Sequence, residues 1–472
     1  MDSPLPPSSC LLPNSPIAIL GAGLGGLVTA FYLERAGVPY DLFEAAPTTI
    51  GGNVQSVRIG SYLLDVGPNS LQLTPGLESL IADAGLLAEI IEPAAVSQHR
   101  FILRGSKLRR LPGSPPALLT SGFFGLGTKA RLLAEMLRRP GAPLPADTTL
   151  AAFFRARFGA EVVDYALAPF VAGVWAGDPE KLLLREALPR LASLADAHGS
   201  LVRGLIRETK ASTQASSAEG ASAGTARRRI VSFREGAGQL PKALAASLHH
   251  LHRGAAIATV ARAAGGGFHL TRTDGQPTPR EVYGRLVLAL PTYAAAPVLA
   301  DAFPAFAAAL AAVRYPPMAA AYLAYPRAAV AHPLDGFGAL YPRRENLRSA
   351  GTIWSSSLYP TRCPADQVLL TTFVGGDQVP TAADIPDTAL LTAVDSELRA
   401  IYGITAAPSF GHVARWPRAI PQLDAFIQPV RAALPGLETA GVLAVANWAA
   451  GVGVPDVVAR AAAVAERLRT GR

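Results

Sequence analysis

The stretch that most constrains this chain is Ile17 to Glu44, IAILGAGLGGLVTAFYLERAGVPYDLFE. A short apolar run, Ile17 to Leu20, meets Gly21, Gly23 and Gly26 in a G-x-G-x-x-G pattern. An amphipathic segment follows, and then a second apolar run that ends in Glu44. This is the order of a β-strand, a tight turn, a helix and a second strand. Gly21 permits the turn, Gly23 lets a pyrophosphate reach the backbone, and Gly26 lets the helix close on the sheet. With Ala22, Leu24 and Gly25 they form a loop whose helix N-terminus offers N–H groups and a positive dipole end to phosphates. Glu44, eighteen residues past Gly26 with Ala45 beside it, stands where an acid accepts hydrogen bonds from ribose hydroxyls. The stretch reads as a dinucleotide site.

At 472 residues the chain is long enough for two or three domains. Half of its residues are hydrophobic and only 17% are charged, which describes an ordered, core-rich protein. A net charge of +8 favours anionic partners. Two cysteines, Cys10 and Cys363, with no C-x-x-C spacing, exclude a disulfide framework and fit a reducing, cytoplasmic setting. The first residues, MDSPLPPSSCLLPNSP, lack the pattern of a signal peptide and read as a disordered lead-in. No apolar run reaches the roughly 18 residues of a membrane span, so membrane contact is expected to be peripheral.

Beyond Glu44, the run IGGNVQSVRIGSYLLDVGPNSL places Gly51–Gly52 and Gly67–Pro68 at turns around two alternating strands. Following a dinucleotide fingerprint, the pairing G-G…D-x-G-P favours FAD over NAD. Residues 16–92 form a first part of the cofactor domain, and 93–206 a strand followed by a helical insertion. From Ser106 to Phe158, nine basic residues stand against Glu135 and Asp147, a net +7. Leu132, Leu133, Met136 and Leu137 are interleaved at helical spacing, which suits either a core-packed helix with a solvated basic face or one lying in a lipid interface. No reader motif supports nucleic acid. Residues 207–229 read as a mobile Ser/Ala/Thr/Gly loop, 230–298 as a resumed cofactor domain, 299–415 as a second α+β region with antiparallel strands, and 416–472 as a third cofactor-domain part.

These segments together resemble the oxygen-dependent protoporphyrinogen/coproporphyrinogen oxidases of the FAD-linked amine oxidase superfamily. The carriers are GAGLGG, GGNVQS…DVGPNS, RFILRGSKLRRLP, FVAGVWAGDPEKL, GTIWSSSLYP, RWPRAIPQ and GVGVPD, in the family's order. The resemblance implies an α/β with α+β fold: a Rossmann-like FAD domain, an antiparallel-sheet substrate domain and an inserted helical domain at the membrane. It implies that FAD contacts Gly21–Gly26, Glu44, Ala45, Gly52, Asn53, Gly67, Pro68, Asn69, Ser70, Ile257, Asn447, Val452, Gly453 and Val454. Arg100 matches an arginine that anchors a substrate propionate. Gly173 matches a glycine whose carbonyl faces the ring, and Val330, Leu340 and Tyr359 match apolar clamps. The implied reaction is six-electron oxidation of protoporphyrinogen IX by O2, with hydrogen peroxide produced, by an enzyme on the inner-membrane surface in which a homodimer is accommodated. The chain departs from the family in IPQLDAFI and in Ala446 before Asn447.

Three alternatives remain at this level: coproporphyrinogen III as substrate, another flavoenzyme such as an amine oxidase or carotenoid desaturase, and a non-catalytic flavin- and porphyrin-binding protein of the membrane surface. None of the eight histidines falls in a matching motif, and His99 and His198 read as surface residues.

Overall fold

Four consecutive apolar residues with no polar alternation become the buried strand Ile17–Leu20, central in a five-stranded sheet. The computed structural model describes residues 15–112, 121–208 and 229–471. All strands of this sheet are parallel, in the order Leu251–Arg253, Tyr40–Glu44, Ile17–Leu20, Arg285–Leu288, Val442–Ala444. A parallel strand covered on both faces requires such a continuous run. The helix Leu24–Arg35 packs Leu27, Val28 and Phe31 into one core with Val457, Val458, Ala461 and Val464 of the C-terminal helix Val454–Thr470. Asp41 is the polar exception inside a buried strand. Burial alone would raise its carboxyl, but hydrogen bonds with His252 and Tyr283 and the nearby Arg280 hold it below the usual carboxylate range.

This first unit comprises the described residues within 1–92, 228–314 and 426–472. It therefore includes the helices Thr292–Leu299 and Pro304–Ala312, where the sequence reading began the second region at 299. The expected loop at 207–229 lies almost wholly outside the described residues.

The second unit, within 93–227 and 315–425, is built on a seven-stranded mixed sheet. Its order is Phe410–Trp416, Met318–Pro326, Gln367–Gly375, Ser349–Trp354, Gly338–Leu340, Arg100–Arg104, Lys107–Arg110. Only the pairing of Gly338–Leu340 with Arg100–Arg104 is parallel. One face of this sheet carries Leu323, Tyr325, Trp354 and Leu370 into a core with Leu390, Val394, Leu398 and Tyr402 of the helix Asp387–Tyr402.

The inserted helices belong to this second unit, and one of them is inside out. In Leu126–Met136 the buried side chains are Thr128 and Glu135, while Leu126 (84% exposed) and Leu133 (53%) face outward, as does Leu137 just beyond (80%). The polar inward side is held by charge. Glu135 accepts hydrogen bonds from Ser200 Oγ (2.9 Å), Leu201 N (2.6 Å) and Arg157 Nη1 (3.0 Å). Thr128 Oγ1 donates to Glu161 (2.5 Å), which also binds Arg104 (2.6 Å). Burial pulls the Arg157 guanidinium down and Glu135 opposes it. Removing one member of a buried pair strands the other charge, so Glu135→Ala is expected to cost about 3–5 kcal/mol in urea unfolding. The outward Leu133→Ser should stay within about 0.5 kcal/mol of the parent protein.

Candidate cofactor and substrate sites

In the first unit the strand Ile17–Leu20 hands the chain to Gly21, and Gly23 caps the helix with extended backbone. The first helical bond runs from Leu27 N to Gly23 O (3.0 Å), so the amides of Leu24, Gly25 and Gly26 precede the hydrogen-bonded ladder and point out of the helix end. Close approach explains the last glycine: a Cβ on Gly26 would lie 2.0 Å from Gly21 O. A Cβ on Gly23 would meet nothing nearer than Ala289 O at 3.7 Å, which leaves room for a ligand against that backbone.

Glu44 ties this loop to the next. Its Oε2 accepts from Ala22 N (2.8 Å) and its Oε1 from Ala46 N (2.9 Å). Each oxygen keeps a lone pair for a ribose hydroxyl. Ala45 lies exposed between them. Gly51 N donates to Ala22 O (2.8 Å), which brings Gly52 and Asn53 to the dinucleotide loop. Gly67 closes on Asn53, whose carbonyl stands where a Cβ on Gly67 would be, and Asn69 Nδ2 donates to Gly67 O (3.2 Å). Pro68 and Ser70 complete that turn, both half-buried.

Other predicted contacts converge from later in the chain. Ala255 N donates to Glu44 O (2.8 Å), so Ile257 opens its strand two residues past this bond to the acid. Val445 O abuts Gly25, placing the turn into Asn447 beside the loop. Val452 and Gly453 lead into the C-terminal helix that begins at Val454, and Gly453 is its N-cap. An open glycine backbone, outward amides and an acid with spare lone pairs suit a dinucleotide such as FAD. Gly25 has a further reason to lack a side chain, since a Cβ there would meet Val445 O at 2.5 Å.

In the second unit, strand register defines a face opposite the core described above. Arg100 pairs with Gly338 and Ile102 with Leu340; Leu340 pairs with Gly351, and Gly351 with Phe373. Ile353 is opposite Gly338. Directly paired residues project to the same side. Arg100, Ile102, Leu340, Ile353 and Phe373 therefore share one face. Ile353 and Phe373 escaped the sequence reading; their alternation with buried Thr352 and Thr372 was the available signal.

Above this face lies the helix Ala168–Trp175. A Cβ on Gly173 would be 3.3 Å from Leu340 Cδ2, so helix and wall are already in contact. Past the helix, Ala176 adopts a left-handed conformation (φ 52°) and Gly177 N reaches Val171 O (3.4 Å). The Gly173 carbonyl is thereby left without a backbone donor among the described residues. Gln422 Nε2 pins the same helix end by donating to Trp175 O (2.9 Å), a role for the Gln of IPQL that the sequence did not disclose.

The Arg100 guanidinium lies 4.4 Å above the Phe337 ring and has no carboxylate partner among the described residues. Although the side chain reaches solvent, surrounding protein desolvates it and lowers its pKa, without threatening its charge. Two expected clamps lie elsewhere. Val330 belongs to the core on the other face, bridged to Ile404, and Tyr359 is buried after a short helix outside the sheet. The register does not bring either to Leu340. His99 and His198 are half-buried, and His99 Nδ1 is 3.0 Å from Asp335 O.

Gly26→Ala should abolish stable FAD binding, because a methyl group and Gly21 O cannot share that space. Glu44→Gln should weaken FAD by about tenfold, the equivalent of one charge-assisted hydrogen bond. Flavin absorbance retained on a desalting column, together with FAD titration of apoprotein, checks both.

Comparison with known proteins agrees with this geometry. Residues 24–468 match the family described as flavin containing amine oxidoreductase. The chain is 30% identical to the chloroplastic protoporphyrinogen oxidase of Nicotiana tabacum, over 95% of this chain and 84% of that protein. It is 25% identical to the coproporphyrinogen III oxidase of Bacillus subtilis, over 94% and 95%. Among solved structures, an Exiguobacterium protein assigned as a protoporphyrinogen oxidase superposes with TM-score 0.77 at 21% identity, over 97% of this chain and 99% of that one. The chain thus belongs to the flavin-containing amine oxidoreductase family, on its porphyrinogen oxidase branch, and is an FAD-dependent oxidoreductase.

Proposed function

We propose that this enzyme oxidises protoporphyrinogen IX to protoporphyrin IX with O2 as acceptor, releasing hydrogen peroxide, in tetrapyrrole synthesis. The observation that carries the reading is the apolar face with a carboxylate-ready arginine at its edge and an unclaimed carbonyl above it. A porphyrinogen is a broad, largely apolar macrocycle with acid substituents, and this face answers each property. The names of the relatives support the same class of substrate.

Gly21–Gly26, Glu44, Gly52, Asn53, Gly67–Ser70, Ile257, Asn447 and Val452–Val454 would hold FAD, which supplies a two-electron acceptor for hydrogen removed at a methylene bridge. Arg100 binds a propionate through its planar fork, and Phe337 beneath the guanidinium limits how it swings. Leu340, Ile353 and Phe373 cover the ring edge and exclude water. The Gly173 carbonyl accepts a hydrogen bond from a pyrrole N–H and so fixes the ring's rotation. No side chain is assigned as a base.

The inside-out helix supports attachment to an acidic membrane surface. Lys129, Arg131, Arg138 and Arg139 have no carboxylate partner among the described residues and flank the outward Leu126, Leu133 and Leu137. Each basic residue near an anionic leaflet contributes about 1 kcal/mol, and exposed leucines add buried area. Among the described residues no helix is long and apolar enough to cross a membrane. As part of this proposal, the surface is taken to be the cytoplasmic side of the inner membrane.

Porphyrin fluorescence and oxygen uptake, run in parallel on protoporphyrinogen IX and coproporphyrinogen III, test the reaction and the substrate. Arg100→Ala should raise KM by about tenfold with kcat within a factor of about two, since it removes binding shared by ground and transition states. A protein that retains FAD but oxidises neither porphyrinogen overturns the reading. In co-sedimentation with vesicles rich in phosphatidylglycerol, Leu133→Asp with Leu137→Asp should reduce the bound fraction by about tenfold, and salt should reduce it further.

A further inference from the structure

The strands Arg100–Arg104 and Lys107–Arg110 carry more charge to the Leu340 face than one anchor requires. Ile102 pairs with Arg109 and Arg104 with Lys107, so these side chains and Arg100 project from one side of the sheet. Leu111, whose N–H donates to Arg100 O (2.7 Å), packs with Ile102 and Leu340 on that side.

The cations there differ in what already satisfies them. Arg104 is neutralised by Glu161 and rests 4.4 Å above the Tyr165 ring. Arg109 has no carboxylate partner among the described residues, and neither does Arg100. Arg109 is the diagonal cross-strand neighbour of Arg100, with α-carbons about 7–8 Å apart. Two guanidinium forks rooted that closely cost charge repulsion unless anions lie between them. They match two carboxylates projecting from one edge of a flat ligand.

We propose that Arg109 is a second carboxylate anchor, so that the face takes ligands presenting two acid side chains on adjacent positions of one edge. This rests on the porphyrinogen reading and deepens it: neighbouring pyrroles carrying propionates supply such an edge, and Arg100 and Arg109 each bind one acid. A single arginine would leave the second propionate in water and the ring free to pivot about the first. The pair instead fixes which edge of the macrocycle enters.

The test uses the FAD-loaded enzyme with Arg109→Gln, Arg100→Gln, the double variant, and Lys107→Gln as a control for an equal loss of charge on the same face. On protoporphyrinogen IX, Arg109→Gln should raise KM by about five- to tenfold with kcat within about twofold, and the double variant should raise it further. On the dimethyl ester, which carries no acid, Arg109→Gln should leave KM unchanged, and Lys107→Gln should have little effect on either substrate. Protoporphyrin IX binding, followed by fluorescence, should weaken in step. The proposal is overturned if Arg109→Gln alters KM no more than Lys107→Gln does, or shifts the ester by the same factor. It is equally overturned if the substitution weakens vesicle binding and leaves KM alone, which would assign the cation to lipid. Wild-type enzyme that oxidises no porphyrinogen defeats the functional reading instead, and product binding then still decides whether Arg109 holds an acid.

Discussion

The Glu44 carboxylate organises the cofactor unit. One oxygen takes the Ala22 amide from the dinucleotide loop and the other takes the Ala46 amide from the segment leaving the strand. The Glu44 carbonyl meanwhile receives Ala255 N. The dinucleotide loop, the segment just past the strand and the distant segment at Ala255 are thus held around one residue at the end of a buried parallel strand. An acid suits this position because two amide donors, one on each oxygen, exceed what the single acceptor oxygen of a neutral amide side chain can meet in this geometry. The same loop then accepts Gly51 and, through Asn53, Gly67. A single side chain thus arranges the backbone turns that the dinucleotide fingerprint marks out.

Much of that was readable in advance because it is local. The strand, turn, helix and second strand between Ile17 and Glu44 are consecutive, and the tightest of their glycine contacts is made within the same short stretch. The close approach of Gly26 to Gly21 O is of that kind. Arg100 stands out through its motif, and the strand register puts it on the same face as Leu340. Family matching names Val330, Leu340 and Tyr359 together as apolar clamps, but which face each side chain joins is set by strand parity. A side chain's face depends on register with strands far away in sequence, as Arg100 is opposite Gly338, and alternation alone does not tell which face Ile353 and Phe373 join.

The inverted helix shows a different limit. Apolar spacing in LLAEML says that the helix has two unlike sides but not which one is turned inward. Burial of Glu135 depends on Arg157 and on the amides at Leu201 and Val202, none of which is nearby in sequence. Similarly, the helix Pro304–Ala312 lies in the cofactor unit through packing such as Phe306 against Trp448, a contact no local pattern announces.

Among the described residues, Lys107–Arg110 has a pairing partner on one side only. An unpaired strand border is a template for adhesion between molecules, and proteins commonly disarm it with positive charge. Lys107, Arg109 and Arg110 do this here. Like charges on this border repel the same border of a neighbouring copy, so the short run that carries Arg109 also guards the sheet against pairing between molecules.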